Sequence, residues 1–111
     1  MTDERERFVR LRGKRGETLT YILDGHTPVP EPDTRKWGGW MGRADRTVRK
    51  EAVGGVEVST VFLGLDHSYD DEGPMLFETM VFGGLYDLVY WRCRTWDEAE
   101  AQHARVLAMV S

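Results

Sequence analysis

The C-terminal segment, residues 95–110, constrains the fold more than any other part of this sequence. Thr95-Trp96-Asp97-Glu98 matches a capping box, in which the threonine hydroxyl and the glutamate carboxylate accept hydrogen bonds from backbone N–H groups at a helix start. Residues with helical spacing then form one apolar stripe: Ala99, His103, Val106, Leu107 and Val110. The pattern predicts an amphipathic helix that needs a core to lie on.

Segments rich in β-branched and aromatic residues supply the other layer. Gly54-Gly55 joins the segments 47–53 and 56–65, and paired glycines suit the positive φ angles of a tight hairpin. The segments 18–23, 75–82 and 85–93 predict further strands. We therefore predict an α+β fold, with an antiparallel four- to five-stranded sheet packed against the C-terminal helix.

The stretch between the first strand and the hairpin begins with prolines, which remove backbone donors. We expect no regular structure across these three residues: Pro28, Pro30 and Pro32. Asp33 is a suitable N-cap for a short helix that ends at Arg43 and carries Trp37 and Trp40 on one face. Because three glycines interrupt this helix, it needs tertiary packing to form.

Length and composition predict a single domain. In a chain of 111 residues, we expect a charged, flexible N-terminal arm over residues 1–17 and one α+β domain over 18–111. No apolar run approaches the roughly 20 residues that a membrane span requires, and the charged start does not resemble a secretion signal. The single cysteine, Cys93, cannot form an internal disulfide. These features favour the cytoplasm, and they give no reason to expect membrane binding.

Charge is distributed unevenly along the chain. Residues 1–50 carry twelve Lys/Arg against eight Asp/Glu, a balance of +4, while residues 51–111 carry three against eleven, a balance of −8. The basic N-terminal arm could contact phosphates, and the acidic second part could face a protein partner. Acidic residues interrupt the basic arm, so nucleic acid ranks below a protein as the expected partner.

Four strings carry a resemblance: Tyr21 to Pro30 (YILDGHTPVP), Val58 to His67 (VSTVFLGLDH), Leu76 to Gly84 (LFETMVFGG) and Thr95 to Glu100 (TWDEAE). With the pair Trp37 and Trp40, they resemble a family of small proteins encoded by bacteriophages and prophages. The resemblance covers roughly residues 20–110. It implies an association with phages, and hence the host cytoplasm, but no particular chemistry.

The clearest candidate for chemistry is the segment after the second hairpin strand. Asp66 and His67 open an acidic loop, and Glu78 lies inside an apolar strand nearby in sequence. If these three side chains converge, they could bind a metal ion or transfer a proton. The alternatives are a solvated turn for the loop and an outward-facing position for Glu78.

Two sets of residues are candidates for binding rather than catalysis. The first is the tryptophan pair, Trp37 and Trp40, and the second is the loop itself: Tyr69, Asp70, Asp71 and Glu72. Other aromatic residues, including Tyr86, Tyr90 and Trp91, belong either to the core or to a partner patch. We interpret His26 as a turn residue, His103 as a histidine at the edge of the core and Cys93 as structural, and we assign no metal ligands.

The sequence contains no phosphate-binding loop, dinucleotide fingerprint, nucleophile elbow or zinc-protease motif. We therefore expect a small phage-associated accessory protein that acts by binding a host or phage protein, with inhibition of host defence as one form of that activity. Two alternatives remain. They are a small-molecule or nucleotide-binding domain or minimal metal-dependent hydrolase at Asp66 and His67, and nucleic-acid binding through the arm. The chain is also a candidate for a homodimer under each of these hypotheses. No cofactor is expected.

Overall fold

The computed structural model describes residues 19–68 and 73–111. The elements in these ranges are β1 (Tyr21–Asp24), β2 (Thr27–Pro30), α1 (Thr34–Arg43), β3 (Thr47–Val53), β4 (Val56–Phe62), β5 (Phe77–Phe82), β6 (Tyr90–Cys93) and α2 (Trp96–Val110). Neither of these two helices combines the length and the apolar character that crossing a membrane would require. The predicted arm, residues 1–17, lies outside the described residues.

The predicted α+β fold is confirmed. Strands β3, β4, β5 and β6 pair in that order, each antiparallel to its neighbour, and α2 packs against β3, β4, β5 and β6. The β3–β4 turn is the predicted glycine pair, with φ of 55° at Gly54 and 81° at Gly55. Both angles lie in the region that side chains disfavour, which explains the glycines.

Three cross-strand residue pairs, which we call rungs, form the face of β4 and β5 under α2. Val58 pairs with Val81, Thr60 with Thr79, and Phe62 with Phe77. The outer rungs join two apolar clusters, which Val106 and Ala99 of α2 complete. A polar layer is therefore enclosed between two apolar ones.

The prediction for the proline stretch was wrong for Pro28 and Pro30, because residues Thr27–Pro30 form β2 and pair with β1 across the Gly25-His26 turn, while Pro32 lies outside any helix or strand, as predicted. In a hairpin with a two-residue turn, hydrogen-bonded and non-hydrogen-bonded pairs alternate away from the turn. Pro28 and Pro30 fall at non-hydrogen-bonded positions, where a missing N–H costs no ladder bond. Their spacing by two makes the strand possible.

The tryptophan helix α1 forms where it was predicted, and Asp33 caps it by accepting from the N–H groups of Arg35 and Lys36 at 3.0 and 3.3 Å. Gly64 anchors this helix to the sheet. Its carbonyl accepts from Trp37 Nε1 at 3.0 Å, and a Cβ added there would lie 2.5 Å from the sulfur of Met41. Only glycine permits this close approach of α1.

The strand predicted over 85–93 is shorter than expected, since β6 begins only at Tyr90. Gly83 and Gly84 turn the chain with φ of 94° and 70°, and the Asp87 carboxylate accepts from Gly83 N at 2.7 Å. The turn continues as far as Val89, whose N–H donates to the Tyr86 carbonyl. The alternating residues 85–89 therefore form a turn, and only the second part of the predicted segment is a strand.

The start of α2 departs from the predicted capping box in one bond. Thr95 Oγ1 accepts from the Glu98 N–H at 3.1 Å, as expected. The Glu98 carboxylate accepts from the N–H of Arg94, one residue before the cap, at 2.9 Å. Both carboxylate and hydroxyl still satisfy backbone donors at the helix start, so the stabilising effect is retained.

Candidate functional site

Asp66 holds the ends of the predicted site loop together. Its Oδ1 accepts from the N–H groups of Ser68 and Met75 at 2.8 and 2.9 Å. The His67 N–H also donates to the Met75 carbonyl at 3.1 Å. One oxygen of the Asp66 carboxylate is therefore engaged in loop closure.

Glu78 lies on the face of the sheet opposite α2 and forms a salt bridge with an arginine side chain. Its Oε2 accepts from Arg92 Nε at 3.0 Å, and only 13% of its side chain is exposed. Burial and the charge of Arg92 lower the pKa of His67, while Glu78 and Asp66 act in the opposite direction. The three predicted residues thus influence one another electrostatically, yet both carboxylates already have partners.

The predicted binding residues have different outcomes. Trp37 bonds to Gly64, and Trp40 packs edge to face against Phe62, with ring centroids 5.8 Å apart. Both tryptophans therefore hold α1 against the core. The remaining predicted binding residues lie outside the described residues: Tyr69, Asp70, Asp71 and Glu72.

The histidines and the cysteine have separate surroundings. The His26 ring stacks on Trp96 at a centroid distance of 3.7 Å, joining the β1–β2 turn to the start of α2. Burial, and then Glu98, raise the pKa of the Cys93 thiol to about 11, so the thiol is protonated at neutral pH and weakly nucleophilic. Within residues 19–68 and 73–111, no three His, Cys, Asp or Glu side chains converge in a way that could hold a metal ion.

His103 is at the centre of the buried polar layer. Its Nδ1 lies 2.8 Å from Thr60 Oγ1, which lies 2.7 Å from Thr79 Oγ1, and Gln102 Nε2 donates to Thr79 at 3.0 Å. On the other side of the ring, Nε2 lies 2.9 Å from a Glu51 carboxylate oxygen. With a neutral ring protonated at Nε2, every bond in this chain has one donor and one acceptor.

The order carboxylate, imidazole, hydroxyl in this layer resembles the arrangement that activates a nucleophile in hydrolases. Thr60 and Thr79, however, are fully buried, and the Thr60 hydroxyl lies between His103 and Thr79. A substrate carbonyl would have to enter the interface between α2 and the sheet to reach it. The arrangement therefore stabilises the packing of α2 and offers no accessible catalytic group.

The turn between β5 and β6 carries a candidate site of another type, an exposed apolar surface. Leu85 is 92% exposed and Leu88 is 60% exposed, and five further large apolar side chains are between 37% and 49% exposed. We define the Leu85 surface as the apolar side chains of this turn together with Met109 of α2: Leu85, Tyr86, Leu88, Val89 and Met109. Phe82 and Tyr90 are on the face of the sheet opposite α2, because Phe82 follows Val81, which packs under α2, and Tyr90 pairs with Met80, which precedes Val81.

Two further features mark the Leu85 surface. A groove of about 230 Å³ runs between the turn and the end of α2, and its walls include Val56, Tyr86, Met109 and Val110. Leu88 has a φ of 66°, the one positive value at a non-glycine residue among those described. A left-handed conformation costs a residue with a side chain about 1–2 kcal/mol, so this turn holds strain together with apolar exposure.

Sequence reasoning identified Tyr86 and Tyr90 as candidates for a patch but missed Leu85, Leu88 and Met109. The alternation of 85–93 made these leucines look like core residues of a strand. The available signal was Gly83-Gly84 followed by Asp87, since a short acidic side chain after paired glycines can bond back to the turn. Met109 could not be connected to this turn without the structure.

Comparison with known proteins gives no relative: no protein-family model, no curated protein and no solved structure matches this chain.

Proposed function

We propose that the chain is a small phage-associated accessory protein that acts in the host cytoplasm by binding a phage or host protein through the Leu85 surface. Inhibition of a host defence protein is one form that this activity could take. The resemblance of the sequence to phage-encoded proteins supports the association with phages. The Leu85 surface supports the binding role.

The extent of that surface is the observation that carries the proposal. Its five side chains together expose on the order of 500 Å², at roughly 200 Å² for a large apolar side chain. The largest apolar patch of a typical monomer is about 300–600 Å² and is often functional. Leu85 and Leu88 contribute little to the core while exposed, so a partner that covers them explains why they are apolar.

Capture from a host lysate tests this proposal, with the full chain immobilised. Leu85→Asp should reduce recovery of the partner by at least about tenfold, because a charge is then buried at the interface. Ala101→Asp is the matched control, since it adds the same charge at an exposed position on α2. Recovery of the same proteins with Leu85→Asp as with the control would contradict the proposal.

A ligand site or minimal hydrolase at Asp66, His67 and Glu78 has less support, because loop closure and Arg92 engage the two carboxylates. Thermal unfolding in the presence of divalent metals and nucleotides tests this alternative. A ligand at 100 times its dissociation constant should add about 2.7 kcal/mol to the free energy of unfolding. The alternative of nucleic-acid binding concerns the arm, outside the described residues.

A further inference from the structure

Helix α1 carries three cations that the fold leaves without an ion pair. Arg35, Lys36 and Arg43 are exposed, and none of them forms a salt bridge with another described residue. Arg49 on β3 differs, since its Nε lies 3.8 Å from a Glu100 carboxylate oxygen. In a chain with a net charge of −4, α1 is therefore a local region of uncompensated positive charge.

No acidic residue interrupts this region, in contrast to the N-terminal arm. Thr34–Arg43 contains no Asp or Glu. The two flanking carboxylates accept from backbone groups, Asp33 from the N–H groups at the helix start and Asp45 from Thr47 N at 3.0 Å. An anion that approaches the outward face of α1 therefore meets cations and no carboxylate on the helix itself.

Three exposed glycines leave the outward face of α1 nearly without side chains: Gly38, Gly39 and Gly42. A Cβ added at Gly38 or Gly42 would meet no atom within 4 Å, and neither residue has a positive φ. Glycine is the poorest helix former after proline, so these two positions weaken the helix without serving the packing of the protein. Close approach of another molecule to the helix backbone accounts for them.

The basic part of the N-terminal arm belongs to the same corner of the molecule. The Gly64 carbonyl accepts from both Trp37 Nε1 and Tyr21 N, at 3.0 and 2.8 Å, so the first described residues lie beside α1. By sequence, residues 7–15 add five Lys/Arg and no Asp/Glu. Two basic segments that are separate in the sequence therefore start from one corner.

We propose that α1 binds duplex DNA across the major groove, with its glycine face in the groove and its cations on the phosphates at either side. Arg35 and Lys36 in the first turn are eight and seven residues from Arg43. At about 1.5 Å per residue this is roughly 11–12 Å along the helix. The major groove of B-form DNA is about 12 Å wide, so cations at the two ends of α1 can reach both backbones.

Duplex DNA fits this face better than a single strand or an RNA duplex. Trp37 bonds to Gly64 and Trp40 packs against Phe62, so the rings of α1 face inward and offer no platform for unstacked bases. The major groove of an A-form RNA duplex is too narrow to admit a helix. Because the glycine face has no side chains that read base edges, binding should be independent of DNA sequence.

This second interface goes beyond the proposed function, because it lies at the other end of the sheet from the Leu85 surface. The groove beside Leu85 includes Val56, the first residue of β4, while α1 contacts Gly64, just after the last. A strand of this length spans roughly 20 Å at about 3.3 Å per residue. A bound duplex therefore leaves the Leu85 surface accessible to a protein.

Fluorescence anisotropy of a labelled DNA duplex, titrated with the full chain over a range of salt concentrations, tests the proposal. The logarithm of the binding constant should fall with the logarithm of salt concentration with a slope of about −2.7 or steeper, at about 0.9 for each phosphate neutralised. Two duplexes of unrelated sequence should bind equally. A single strand and an RNA duplex should bind more weakly at the same salt concentration.

Arg43→Ala should weaken binding to both DNA duplexes equally and make the salt slope shallower by about 0.9. Arg49→Ala is the matched control, because it removes the same charge from a residue that is paired with Glu100, and it should leave the slope unchanged.

Gly42→Gln tests whether the glycine face is in contact with the duplex. The added side chain should lower DNA affinity by at least about fivefold. The same change should raise the urea unfolding midpoint, since glutamine is a better helix former and meets no neighbouring atom at its Cβ. Weaker binding together with higher stability excludes loss of folding as the cause.

Four results would overturn the proposal. They are no binding at the lowest salt concentration, the same slope for Arg43→Ala as for Arg49→Ala, full affinity in Gly42→Gln, and a single strand bound as tightly as the duplex. Displacement of the labelled duplex by polyglutamate as effectively as by unlabelled duplex at equal charge would also overturn it, because an acidic protein segment would then suffice.

Discussion

The interface under α2 and the Leu85 surface invert the usual distribution of polar and apolar groups. Under α2, four polar side chains are buried, and each has a hydrogen-bond partner: Thr60, Thr79, Gln102 and His103. Around the turn at 83–89, large apolar side chains are exposed and Leu88 has a positive φ. Neither arrangement follows from folding stability alone.

The two regions differ in which molecule supplies the contacts of their side chains. The buried polar layer is completed by groups of the same chain, with each hydroxyl bonded to a neighbour on another element. Such a layer fixes how α2 is placed along the sheet, because sliding α2 would leave polar groups unpaired between apolar rungs. The Leu85 surface has no such partner among the described residues, and we propose that another molecule supplies it.

The largest expected effect contrasts two leucines. Leu76→Ala should lower the free energy of unfolding by about 2–5 kcal/mol, because Leu76 is fully buried and its truncation leaves a cavity. Leu85→Ala, the same chemical change at an exposed position, should alter it by less than about 0.5 kcal/mol in the monomer. Urea unfolding of both variants measures this, and similar losses would mean that Leu85 belongs to the core.

The next effect concerns the polar layer. Thr60→Val should cost about 1–3 kcal/mol, since it keeps the shape of the side chain but removes the partner of His103 Nδ1 and leaves the Thr79 hydroxyl bonded to Gln102 alone. Thr60→Val and Thr79→Val together should cost less than the sum of the two single changes, by at least about 0.5 kcal/mol. Additive losses in this double-mutant cycle would indicate that the hydroxyls are not coupled.

A smaller effect, of opposite sign, is expected at Leu88. Leu88→Gly should raise the free energy of unfolding of the monomer by about 0.5–1 kcal/mol, because relief of a left-handed conformation exceeds the added chain entropy of glycine. The same change should reduce capture of the partner through the Leu85 surface. A loss of stability instead of a gain would show that the Leu88 side chain supports the fold.

The smallest effect is a pH dependence at His67. Burial, and then Arg92, lower its pKa below the ordinary value of 6.5, so the unfolded chain takes up the proton more readily. The stability that neutral His67 contributes is therefore present above pH 6.5 and is lost as the pH falls through the lowered pKa of the folded state.

Urea unfolding at several pH values measures this contribution. His67→Gln should flatten the profile on the acidic side relative to the parent protein. A profile that is unchanged by His67→Gln would show that the burial of the ring has no energetic consequence.

The sequence predicts features that depend on neighbouring residues. The caps at Asp33 and Thr95 and the glycine turn at Gly54-Gly55 were all predicted because a few adjacent residues determine each of them. The proline strand was missed because its pairing depends on which side each missing N–H faces. That information comes from the partner strand, not from composition.

The candidate sites could not be predicted from the sequence, because they depend on contacts between residues that are far apart in the chain. Glu51, Thr60, Thr79 and His103 come from three strands and a helix, and nothing in their spacing connects them. Leu85 and Leu88 show the converse, because an alternating apolar pattern predicts burial and their exposure follows only from the hydrogen bonds of the turn. The resemblance to phage proteins likewise predicts an association with phages but does not identify a binding surface.

Hydrogen–deuterium exchange of the protein, alone and bound to the protein that it captures from host lysate, tests the role of the Leu85 surface most directly. We predict that binding slows exchange in residues 83–89 and at the end of α2, while β4, β5 and the polar layer show no change. Slowing confined to another surface would contradict the assignment of the Leu85 surface as the binding site.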